Sequence, residues 1–162
     1  MAGPLPTVLV LGTFPSTASR REGAYYANPR NQFWPIVEAL FGISRALPYK
    51  ERIHALAGHG VALWDTVSAC HQEGSMDHTI RNPQLNDIPG FLRANPTVSL
   101  VAVNGRTAER FLKRVMLTHP FAPDVRVVVL PSTSPANARM RPDEKTRCWS
   151  VIRDFPRVSF SR

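Results

Sequence analysis

The sequence predicts an α/β fold, a three-layer α/β/α arrangement with a four-stranded parallel sheet at its centre. Three observations predict it. Four short apolar runs recur along the chain, each continuous rather than alternating, the pattern of strands buried on both faces. Helical periodicity follows each run, which implies right-handed crossovers between parallel strands. No repeat, linker or low-complexity tract divides the 162 residues, so one domain spanning 1–162 is expected.

In chain order, "TVLVLG" (7–12) is the first strand, ending at Gly12. "NQFWPIVEALFG" (31–42) is a helix with Phe33, Ile36, Val37, Leu40 and Phe41 on one stripe, Pro35 in the first turn and Gly42 as a stop. "KERIHALAGHG" forms a shorter helix and "VALWD" (61–65) the second strand. Residues 66–86 are polar and turn-rich, a long connection before a short helix near "DIPGFLRAN". "VSLVAVNG" (98–105) is the third strand, "RTAERFLKRVM" the helix after it, and "VRVVVLP" (125–131) the fourth strand. A polar loop, "PSTSPANARMR", precedes a closing helix, "PDEKTRCWSVIRDF", opened by Pro142 and acidic residues.

Composition narrows the function. With 43% apolar residues the chain can bury an ordinary core. No stretch approaches the roughly 20 apolar residues of a membrane helix, and "MAGPLPTVLVLG" lacks a signal peptide's pattern, so a monomeric, cytoplasmic protein without membrane contact is expected. Two cysteines, Cys70 and Cys148, and five histidines without ligand spacing point to no metal and no cofactor. The net charge is +8, and it is unevenly placed: residues 1–104 hold 8 basic and 7 acidic groups, residues 105–162 hold 12 and 5. Such a basic half suits a polyanion partner, or else is a solvated arginine-rich face.

In an open parallel sheet, ligands bind beyond the C-terminal ends of the strands. That rim collects "GTFPSTASRREGAYYANPRN", "DTVSACHQEGSMDHT", "NGR" and "PSTSPANARMR". The first and last exceed the roughly 2–6 residues of a plain turn, and function is expected there. Asn31 sits where a helix cap belongs, and its amide could equally accept from and donate to a water or substrate at the rim. Asn28, before Pro29, reads as a turn residue. Tyr26, with Tyr25, lies in a polar loop where a ring can stack on a planar ligand or anchor the loop inward. Phe14 is similarly two-sided, and Gly12 permits close backbone approach. Asp65 closes the second strand as a ligand acceptor or as a cap for the following loop. Ser16, Ser132 and Ser134 have no nucleophile elbow around them, so serine hydrolysis is not expected. The hydroxyls, small residues and arginines of the last loop suit phosphates and a groove.

"GTFPS" after the first strand, "YYANPRNQFW", "GVALWD", "NGRTA" and "LPSTSPAN" occur in an order that resembles the uracil-DNA glycosylase superfamily, most closely its hypoxanthine (deoxyinosine) glycosylase branch. The likeness spans nearly the whole chain. It implies a monofunctional DNA glycosylase that flips a deaminated base from double-stranded DNA and hydrolyses the N-glycosidic bond. It also implies a catalytic Asn31, a base-stacking Tyr26 and a base-reading Asp65. Gly12, Thr13, Phe14 and Ser134 would line the base site. Ser16, Ser132, Thr133, Asn137, Arg139 and Arg141 would touch DNA, with the "PSTSPAN" loop entering the minor groove. Thr13 stands where the mismatch-specific uracil branch carries Asn, and the Asp of classical uracil enzymes is absent nearby, so the water-activating group of those relatives is missing and the expectation moves away from efficient uracil excision.

Overall fold

The computed structural model describes residues 1–72, 76 and 79–155. Its elements in chain order are β1 (Val8–Gly12), α1 (Thr17–Glu22), α2 (Phe33–Phe41), α3 (Tyr49–Gly58), β2 (Val61–Asp65), β3 (Val67–His71), β4 (Arg81–Leu85), α4 (Ile88–Ala94), β5 (Leu100–Asn104), α5 (Arg106–Thr118), β6 (Arg126–Leu130), α6 (Pro142–Trp149) and α7 (Val151–Asp154). Four strands make a parallel sheet ordered β2-β1-β5-β6. Its register sets Val8 against both Val61 and Leu100. β1 therefore has the chain's crossovers leaving in opposite directions on its two sides, a topological switch point.

Side-chain alternation along β1 divides the core between two layers. Val8 and Val10 face one layer with Phe33, Ile36, Val37, Leu56 and Trp149, from α2, α3 and α6. Leu9 and Leu11 face the other with Ile88, Ala108, Leu112 and Val115, from α4 and α5. Helices thus cover both faces of the sheet. This is the three-layer α/β/α fold that the continuous apolar runs predict.

Some boundaries and one segment differ from the expectation. Residues 66–86 are no mere connection: β3 and β4 pair as an antiparallel ribbon with register shifts. Only Val67 of β3 is buried, and β4 is exposed or half-buried throughout, with Pro83 inside it. A solvated two-stranded ribbon offers no apolar run to find, and its edge tolerates proline. The first rim loop contains α1, six residues without an apolar stripe, capped by Ser16 and ended by Gly23 in the left-handed region. α2 begins at Phe33 rather than Asn31, and the closing helix is divided at Ser150. Residues 73–75 and 77–78 of the second rim segment, with His78, lie outside the described residues, as do 156–162.

Candidate functional site

A cleft of about 1430 Å³ opens at the C-terminal rim beside the switch point. β1, β2 and β5 end there with Gly12, Asp65 and Asn104, and the loops after β1 and β6 form opposite walls. Among the described residues lining it are Arg20, Arg30, Arg106 and Arg139, against one acid, Asp65. The field at its mouth therefore favours an anion.

The floor is built by close packing of polar groups. Asp65 is buried, 7% exposed, and its Oδ1 lies directly over the Gly12 Cα, where any Cβ would collide with it. Gly12 is thus needed for approach rather than for turning. The carbonyls of Gly12 and Thr13 accept from the Thr66 and Val67 amides, which ties the turn after β1 to the start of β3. At Gly105, φ is +94° and a Cβ would meet Ser132 Cβ at 2.8 Å, so glycine also lets β5 pass close to the last loop.

Tyr26 is the aromatic residue of the first wall that packs on the core. Its ring stacks on Phe33 with centroids 4.0 Å apart and planes at 25°, and it lines the cleft. Its backbone is left-handed, φ 57°, an uncommon state for a bulky residue. The loop is held in that shape from behind: Tyr25 N–H donates to Tyr49 Oη at 2.9 Å, and Trp34 Nε1 donates to the Tyr25 carbonyl at 3.0 Å. The Tyr26 hydroxyl is buried and has no hydrogen-bond partner among the described residues. Burial, reinforced by the Asp65 charge, pushes the phenol well above its ordinary value; nearby Asn104 opposes this in part without meeting hydrogen-bond geometry.

Asn31 lies half-buried on the same wall. Its Oδ1 accepts from the Phe33 amide at 3.0 Å, two residues on, an Asx turn that serves the first amide of α2 although Gln32 holds the N-cap position. That bond fixes which way the amide faces. It uses one Oδ1 lone pair and leaves Oδ1 a second. Asn28 Oδ1 accepts from Arg30 N–H at 2.9 Å, a turn residue as its position before Pro29 suggests.

The last loop is pinned to the scaffold. Thr133 N–H donates to Asn104 Oδ1 at 2.9 Å and Asn104 Nδ2 donates to Thr133 Oγ1 at 2.9 Å, both buried. Trp149 Nε1 donates to the Pro131 carbonyl, and Gln32 N–H to the Thr133 carbonyl, each at 2.9 Å. Asn137 Nδ2 donates to the Ser132 carbonyl at 3.0 Å.

The structure therefore brings Gly12, Thr13, Phe14, Ser16, Tyr26, Asn31, Asp65, Ser132, Thr133, Ser134, Asn137 and Arg139 to one cleft. It does not bring Arg141, which sits off the wall at the N-cap of α6 with its guanidinium 3.4 Å from Asp143 and 3.9 Å from Glu144. Ser16 lines the cleft but its Oγ accepts from Ser19 N–H at 3.2 Å as the α1 cap, and Thr133 is fully buried, so neither hydroxyl presents itself first to DNA. Sequence reasoning passed over Asn104; a lone amide ending a buried strand was the available signal. It also passed over Lys145, a cation near a helix start, where the dipole disfavours one.

The sequence matches the family described as Uracil DNA glycosylase superfamily over residues 2–153. The chain belongs to that superfamily. It is accordingly a DNA glycosylase, acting on DNA. A hypoxanthine DNA glycosylase of Methanosarcina acetivorans is 33% identical over 149 residues, 90% of each chain. One of Methanosarcina barkeri is 30% identical over 105 residues, 64% of this chain and 66% of the relative. The solution structure of a candidate uracil DNA glycosylase from Methanosarcina acetivorans superposes with TM-score 0.78 at 30% identity, covering 94% of this glycosylase and 92% of that chain. The cleft of this glycosylase lies at the rim where β1 and β5 end side by side. No described helix is long and apolar enough to cross a membrane, and no three described His, Cys, Asp or Glu residues group as metal ligands.

Proposed function

We propose that this glycosylase, working as a cytoplasmic monomer, flips deoxyinosine out of double-stranded DNA and hydrolyses its N-glycosidic bond, leaving an abasic site. The observation that carries the reading is the Asn31 amide, held by its cap bond on the cleft wall that also bears Tyr26. Two relatives that share its length or most of it are named for hypoxanthine, which supports that base over uracil.

The chemistry asks little covalent help of the protein. Cleavage develops positive charge on the sugar and negative charge on the departing purine, so positioning and charge stabilisation dominate. Asn31 orients a water at C1′ through its second Oδ1 lone pair, as a neutral amide fixes geometry without acting as a strong base. Tyr26, backed by Phe33, stacks on the extruded base. Asp65 accepts from the N1–H of hypoxanthine, an edge that adenine lacks. The Phe14 N–H, beside Thr13, receives negative charge on the base. Ser134 lines the base site, and Ser132, Asn137 and Arg139 face the phosphates from the other wall.

A panel of duplex oligonucleotides, each with one hypoxanthine, uracil, xanthine or undamaged adenine, tests this by abasic-site formation. The expected result is excision fastest at hypoxanthine and none at adenine. Faster release of uracil would transfer the assignment to that base. Salt-dependent binding of every duplex without abasic product would leave only a DNA-binding domain.

A further inference from the structure

The last loop has two parts with different support. Pro131 to Thr133 is fixed from outside by Trp149, Asn104 and Gln32. From Ser134 to Asn137 the bonds are internal: Ser134 N–H to Ser132 Oγ at 3.2 Å, Ala136 N–H to Ser134 Oγ at 3.3 Å, and Asn137 N–H to the Ser134 carbonyl at 3.0 Å. Among the described residues one side chain from beyond the loop reaches this turn. It is Lys145 of α6, whose Nζ donates to the Asn137 carbonyl at 3.1 Å.

Lys145 is an unusual anchor. Its side chain is fully buried, a rare state for lysine, and no described carboxylate pairs with it. The neighbouring acids of α6 are taken: Asp143 lies against Arg141 and Arg147, and Glu144 against Arg141. Burial lowers its pKa from the ordinary lysine value. A lone hydrogen bond is poor compensation for a desolvated ammonium, and an apolar side chain of the same length would fill the space at less cost.

We propose that Lys145 is a positioning residue for DNA binding: it holds the Asn137 carbonyl so that the Ser134–Asn137 turn is presented preformed, and its buried charge favours a phosphate docking on that turn. The inference rests on the reading of this loop as a DNA contact. Preforming a loop improves affinity by removing the ordering cost at the moment of binding. A positive charge beneath the turn acts through a medium that salt screens weakly. Neither effect touches C1′, so affinity changes and chemistry does not.

The test uses Lys145→Met and Lys145→Gln in the full chain, with a duplex bearing 2′-fluoro-deoxyinosine for binding and the ordinary deoxyinosine duplex for single-turnover cleavage at saturating enzyme. Lys145→Met is expected to raise Kd about tenfold and leave the saturated rate within about twofold. Lys145→Gln, which keeps an N–H donor, recovers part of the affinity. A folded Lys145→Met protein with native Kd overturns the inference, as does native Kd with a lost saturated rate. If Lys145→Met does not fold, the same two readouts on Lys145→Gln decide it, with native Kd again overturning it. Asn137→Ala and Arg139→Ala serve as the reference: if both bind as native, the DNA-contact reading of the loop fails; if both bind weakly while Lys145→Met binds as native, only the role of Lys145 fails.

Discussion

Replacing Asn31 separates its two roles. Asn31→Ala removes the acceptor for the Phe33 amide, 3.0 Å away, and with it the start of α2 loses a cap worth about 1 kcal/mol. For a chain of this size that loss lowers Tm by roughly 2–4 °C. It also removes the amide that aims water, an effect expected to slow excision about 10²–10⁴-fold by analogy with other groups that handle the attacking water. Asn31→Ser restores an oxygen able to accept from the backbone two residues on, as serine does in comparable turns, yet its shorter side chain stops short of the substrate. The expected outcome is that Asn31→Ser regains most of the lost Tm and none of the lost rate. Thermal unfolding and single-turnover cleavage of a deoxyinosine duplex at saturating enzyme measure the two quantities on one preparation. If Asn31→Ser recovers rate in step with stability, Asn31 is a cap and no more, and the water must be placed by another group.

Tyr26→Phe removes a buried hydroxyl that has no partner among the described residues, so stability should hold or rise by up to about 1 kcal/mol, while Tyr26→Leu, which loses the ring, should lose about 1–3 kcal/mol of transition-state binding by kcat/KM. The same phenol supplies a pH signature. Its folded pKa lies above its unfolded value near 10, so the stability it contributes is present below about pH 10 and lost as pH rises through the folded value. Alkaline denaturant titrations should show a shallower decline in Tyr26→Phe than in the native chain. Asn104→Ala strands the buried Thr133 N–H and Oγ1 together, and a loss of about 2–4 kcal/mol in urea unfolding is expected. Arg139→Ala should reduce the slope of log Kd against log salt by about one, whereas Arg141→Ala should leave it unchanged, since Arg141 is engaged by Asp143 and Glu144.

The central strands were legible because burial on both faces writes itself as uninterrupted apolar runs: every residue of β1 and β5 is buried, and both read plainly as strands, whereas the apolar run of β6 is not buried on both faces, since at the sheet's edge all but Leu130 are exposed or half-buried. β3 and β4 were illegible for the converse reason. A ribbon exposed on most of its surface needs no apolar pattern, and its pairing depends on a partner strand that local composition does not announce. The site followed the same logic. Asn31, Tyr26 and Asp65 stand out because polar or aromatic residues end apolar strands or open a helix at the rim. What they touch was hidden: that Asp65 overlies Gly12 and that Asn104 clasps Thr133 are contacts between residues far apart in the chain, and that Phe33 backs Tyr26 depends on the shape of the loop between them. Lys145 showed only a cation near a helix start, and its burial was hidden because a loop folded back over α6 sets its surroundings.

Three unfavourable features lie in or behind the cleft walls: the left-handed backbone of Tyr26, its hydroxyl with no hydrogen-bond partner among the described residues, and the ammonium of Lys145 with no carboxylate partner among them. Strain of the first kind and stranding of the second each cost about 1–3 kcal/mol, substantial against the roughly 5–15 kcal/mol that keeps a domain folded. The fold requires neither polar group, because Phe33 would stack as well on phenylalanine and α6 would pack as well on methionine. The ammonium's deficit is of a kind that nucleic acid can ease, through a phosphate docking on the turn above it, whereas the Tyr26 hydroxyl stays buried. Tyr26→Phe combined with Lys145→Met should therefore give a chain at least as stable as the native one in the absence of DNA, with a smaller rise in Tm on adding the 2′-fluoro-deoxyinosine duplex. A double variant that unfolds more easily, yet gains as much Tm from the duplex as the native chain, would show that both groups serve the fold and owe nothing to DNA.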